Sequence, residues 1–73
     1  MTSTINFKGI VEKKQAYYGN TKAAYDFAVE EYATRRMIEE NESILKMAEE
    51  HMNERACMVI RARITELKLM IKD

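Results

Sequence analysis

The chain has 73 residues, 47% of them hydrophobic and 33% charged, with 12 basic and 12 acidic side chains, one cysteine, one histidine, two glycines and no proline. A single cysteine excludes an internal disulfide, and one histidine beside it falls short of the ligands that a four-coordinate zinc site needs. This length holds one domain at most, whose core seldom supplies more than about 3–5 kcal/mol, so extra buried surface is expected from oligomerisation or from a partner.

The scarcity of helix breakers and the balance of apolar and charged residues point to a folded all-α chain rather than a disordered one. No apolar run nears the roughly 20 residues of a membrane span. The opening "MTSTINFKG" lacks the charged and apolar regions of a signal peptide. The expectation is therefore a cytoplasmic protein that does not engage a membrane, and the lone thiol agrees with a reducing compartment.

The segment "STINFKGIVEKKQAYYGN" predicts a short first helix, about residues 5–18. Phe7, Ile10, Val11, Tyr17 and Tyr18 share a face, Ser3 or Thr4 is available as N-cap, and Gly19 suits a left-handed C-terminal position. Ile5, Phe7, Gly9 and Val11 also alternate as a strand would, but a strand with no partner strand is unstable. A second helix is expected over about residues 21–40, opened by Asn20 or Thr21. Its apolar residues (Ala24, Tyr25, Phe27, Ala28, Val29, Tyr32) cover more than one narrow stripe, so it should contact neighbours on two sides.

Asn41 and Ser43 in "EENES" resemble caps and mark the expected bend, although the acidic stretch also suits an unbroken helix. Beyond it, Leu45, Ala48, Met52, Ala56, Ile60, Ile64, Leu67 and Ile71 follow at steps of three or four. This predicts a long third helix, about residues 42–72, with one broad apolar face. The steps of four make the stripe drift, which does not support a strict heptad coiled coil. Such a helix would extend about 46 Å, beyond the roughly 29 Å of a compact chain of this size. Part of its stripe would then need cover from a second copy.

Charge is zoned along the chain. Residues 26–54 hold nine acids against Arg35, Arg36 and Lys46, whereas residues 55–73 hold Arg55, Arg61, Arg63, Lys68 and Lys72 against Glu66 and Asp73. Acids early and bases late complement a helix macrodipole. They also suit an antiparallel homodimer with Ala56 at the two-fold axis. Met52 would then face Ile60, Ala48 would face Ile64, Leu45 would face Leu67, and Glu49 would neutralise Arg63 within the apolar stripe. The expected self-association surface comprises these residues and Ile71, and the architecture is a helical hairpin or bundle completed by dimerisation.

His51 with Glu50 and Glu54 does not match the Glu-x-x-His pattern of di-iron bundles, since Ala48 stands three residues before the histidine. Cys57 lies nearly two helical turns from His51 and has no evident base, so it reads as a structural thiol. No phosphate-binding glycine loop or catalytic pairing is present, so no cofactor, metal or enzymatic activity is expected. Tyr18, Tyr25 and Tyr32 recur every seven residues beside Tyr17; they are rim-of-core residues or, with arginine, anchors for a protein partner. Five internal methionines suit gap-filling or an adaptable docking face. The resulting expectation is a small adaptor, inhibitor or regulator. The alternatives are a DNA- or RNA-binding regulator using Arg55, Arg61, Arg63, Lys68 and Lys72, or a structural subunit of a larger assembly.

Overall fold

The computed structural model describes residues 5–71, and among these all regular structure is helical. Three helices follow in order: α1 (Phe7–Tyr18), α2 (Lys22–Glu50) and α3 (Glu54–Leu69). The chain divides into two units, Met1–Arg36 and Met37–Asp73, and α2 contributes its first half to one and its second half to the other.

α1 begins at Asn6, not at the expected Ser3 or Thr4, which lie outside the described residues. Asn6 has extended backbone and its side chain accepts a hydrogen bond from the Gly9 N–H at 3.2 Å, satisfying one of the donors that every helix start leaves open. The helix ends at Gly19, whose φ of 79° is cheap only without a Cβ. Its N–H closes the last turn on the Gln15 carbonyl at 2.8 Å. Thr21 then opens α2, its Oγ1 accepting from the Ala24 N–H.

In the first unit, Ile10 is buried and Ala24 and Ala28 are fully buried. Lys14 on α1 pairs with Glu31 on α2 at 3.2 Å, and the Phe7 ring packs edge-on against Tyr32 at 5.2 Å. By helical period Ala28 lies between Glu31 and Tyr32. The small alanine therefore sits where α1 meets α2 and leaves room for that approach.

The second unit corrects the expected boundaries. α2 does not bend at Asn41 but runs through Asn41 and Ser43 to Glu50. The Asn41 amide donates to the Met37 carbonyl at 2.8 Å, so its side chain joins the helix instead of capping a new one. The break falls at His51, Met52 and Asn53. There the Asn53 N–H bonds the Ala48 carbonyl and the Met52 N–H bonds the Glu49 carbonyl, the paired closure of a Schellman motif with Met52 at the left-handed position. Asn53 then caps α3 by accepting from the Ala56 N–H at 3.1 Å.

The physical reason for this placement is the apolar stripe. On a single helix it would stay open along its length, whereas a reversal at residues 51–53 divides it into two arms that cover each other. Ile38 from α2 and Ile64 and Leu67 from α3 form the buried cluster, with Leu45, Ile60 and Ile71 packed against it. Burial of each large aliphatic side chain contributes about 1.5–3 kcal/mol.

Candidate interaction surfaces

The reversal at residues 51–53 changes what the expected self-association residues do. Leu45, Ile60, Ile64, Leu67 and Ile71 meet within one chain, and Ala48 and Ala56 are half-buried. Glu49 pairs within the same chain with Arg61 rather than Arg63, at 3.0 Å. One acid–base pair, Glu49 with Arg61, thus joins the second half of α2 to α3 within the chain. Met52 lies outside this helix pair, in the turn, 86% exposed. An axis at Ala56 relating two continuous helices loses its basis, because the stripe is not continuous.

The tyrosines divide into two groups. Tyr25 and Tyr32 hold Phe7 between them, with ring centroids at 5.9 and 5.2 Å in edge-on geometry, as rim-of-core aromatics do. Tyr17 and Tyr18 lie where α1 ends, 4.7 Å apart, and Tyr18 also stacks on Phe27 of α2 at 5.0 Å. Both groups reach solvent, with Tyr25 50% exposed in the first, and the second holds the most exposed ring, Tyr17 at 81%, beside Tyr18 at 44% and Phe27 at 43%. Phe27 completes the cluster but has no place in the seven-residue tyrosine spacing. The reversal at Gly19, not periodicity, brings it to Tyr18.

A shallow groove of about 450 Å³ lies in the first unit between Ile5, Asn6, Gly9 and Ile10 and the side chains of Lys13, Glu31 and Arg35. Its carboxylate is engaged on both sides, by Lys14 and by Arg35, each at 3.2 Å. The Lys14–Glu31 pair positions α1 on α2.

The basic residues of the C-terminal segment do not share a face. At about 100° per residue, Arg55 and Arg63 fall on one side of α3 and Arg61 and Lys68 nearly opposite, while Lys72 lies outside the described residues. His51 is exposed in the turn. Cys57 is buried and unbonded, so a thiol crosslink between copies would require the helix pair to open. Among the described residues no three histidine, cysteine or acidic side chains gather as metal ligands, and no helix is long and apolar enough to cross a membrane.

No protein-family model, curated protein or solved structure matches this chain.

Proposed function

We propose that this chain is a non-enzymatic protein-interaction module, acting as an adaptor, inhibitor or regulator by presenting helical surface to a protein partner. The observation that carries the reading is the open cluster of Tyr17, Tyr18 and Phe27. Tyr18 touches both Tyr17 and Phe27, and rings that already pack on one another offer a partner aromatic area at a small entropic cost. Tyrosines in such patches are frequent energetic anchors of interfaces. In this reading the scaffold is a pair of helical hairpins sharing α2, and the Lys14–Glu31 pair ties α1, which carries Tyr17 and Tyr18, to α2, which carries Phe27. A cytoplasmic setting belongs to the same proposal, supported by the single free thiol.

The nucleic-acid alternative is weakened by the division of Arg55, Arg63, Arg61 and Lys68 between two sides of α3, since phosphate contacts along one backbone call for a shared face. The discriminating experiment places a photo-crosslinking residue at Tyr17 and, as control, at Met58 in cells that produce the protein. A defined protein crosslinked at position 17 and not at 58, then bound by the purified chain and lost on Tyr17→Ser with Phe27→Ser, supports the reading. Recovery of nucleic acid instead, with salt-dependent binding abolished by Arg61→Glu with Lys68→Glu, overturns it.

A further inference from the structure

The two flanks of the α2–α3 pair differ in chemistry. The Glu49–Arg61 bridge fixes one of them, and helical period adds Glu42, Lys46 and Lys68 to that charged side. The same period puts Met37, Ile44 and Ala48 of α2, Ala56 and Val59 of α3 and its C-cap Met70 on the other side. Ala48 and Ala56 are half-buried and form a low floor between the helices. Met37, Ile44, Val59 and Met70 stand around it at 40–69% exposure. Among the described residues Arg63 lies on this apolar flank and makes no ion pair there, while Arg55, Glu40 and Glu66 lie at its rim.

From this arrangement we infer that the apolar flank is an isologous dimer surface, covered by the same flank of a second copy of the chain. The occupant follows from area and from charge. The four side chains stand at 40–69% exposure, and large apolar residues this open, grouped on one flank, supply area of the order of the ~450 Å² of apolar surface that each partner brings to an interface of standard size. An arginine among apolar residues needs an acidic counterpart when covered. A second copy carries Glu40 and Glu66 on the same face, and two-fold symmetry makes every such Arg63–carboxylate contact twice. Net charge is zero, so two copies do not repel through their overall charge.

This surface goes beyond the function proposed above. It belongs to the other unit, shares no residue with the Tyr17–Phe27 cluster, and its test needs no further partner.

The test is solution mass by light scattering and sedimentation across micromolar concentrations, on wild type, Ile44→Lys, Val59→Lys and the opposite-flank control Met58→Lys, with circular dichroism on each. A mass doubling from 8.6 kDa is expected for wild type and Met58→Lys. Either flank substitution should weaken dimerisation by at least about 20-fold, the effect of losing one interface hot spot, with the helical signal retained. Ile44 and Val59 are at least half exposed in the single chain, so the substitutions leave its core intact; a variant that unfolds is replaced by Met70→Lys at the same flank. A wild type that stays monomeric at every concentration overturns the inference, and so does a dimer that Met58→Lys dissociates as readily as Ile44→Lys.

Discussion

Arg61 on α3 reaches back 12 residues to Glu49 on α2, with 3.0 Å between Nη2 and Oε2, closing the ends of the two helical arms just above the turn that joins them. Both side chains are about half exposed, so water and salt screen the pair and its value is small, about 0–1 kcal/mol. Arg61→Ala should lower the urea midpoint only slightly. A double-mutant cycle with Glu49→Ala should return a coupling of a few tenths of a kcal/mol that fades in high salt. A coupling of several kcal/mol would mean that the pair is buried in solution.

Met52 has a φ of 55° while 86% exposed, a conformation that costs an L-residue with a Cβ about 1–2 kcal/mol. Glycine removes that cost but adds freedom to the unfolded chain. Met52→Gly should therefore raise stability by a net ~0.5–1 kcal/mol, read as a higher urea midpoint at unchanged slope. Met52→Val should lower it, because β-branching makes the left-handed conformation worse.

Two asparagines in similar acidic surroundings should respond oppositely to alanine. Asn53 accepts the Ala56 N–H as N-cap of α3, and Asn53→Ala should cost about 1 kcal/mol, largely restored by Asn53→Asp. Asn41 lies inside α2, where its amide merely donates to the Met37 carbonyl. Alanine has the higher helix propensity there, so Asn41→Ala should be neutral or stabilising by a few tenths of a kcal/mol. Thermal unfolding of the three variants decides between a break at residues 51–53 and one near 41.

The same pair shows what was legible in the sequence. The absence of proline and the steps of three and four between apolar residues suffice for an all-helical chain, and of the two caps offered after Gly19, Asn20 and Thr21, it is Thr21 that accepts the Ala24 N–H. Asn41 and Asn53 are indistinguishable by local propensity. Only the match between Ile38 and Leu45 on one arm and Ile60, Ile64 and Leu67 on the other selects residues 51–53, and that is a tertiary quantity. Charge zoning alone suggests an antiparallel pairing of two copies with Glu49 against Arg63, whereas the pair formed, Glu49 with Arg61, lies within one chain and depends on the turn. Phe27 escaped the candidate surface for a related reason: its neighbour Tyr18 is set by the reversal at Gly19, not by helical spacing.

Ala28 should be the least tolerant position of the first unit. It is fully buried between two residues that touch α1: Glu31, paired with Lys14 at 3.2 Å, and Tyr32, packed on Phe7 at 5.2 Å. A leucine there adds three carbons where the two helices approach, and overpacking of this kind costs about 1–3 kcal/mol. Its own helical propensity adds little to these contacts, since an isolated helix of 12 residues is marginal in water. Ala28→Leu should therefore release α1 while leaving α3 folded, because the Ile38, Ile64 and Leu67 cluster lies in the other unit. Hydrogen exchange should show lost protection across Phe7–Tyr18 and retained protection across Glu54–Leu69, with a weaker near-ultraviolet tyrosine signal as Phe7 leaves Tyr25 and Tyr32. Ala28→Gly, which opens a small void and adds helix flexibility, should cost about 1 kcal/mol without detaching α1. Equal loss of protection in all three helices with Ala28→Leu would mean instead that the two units unfold as one.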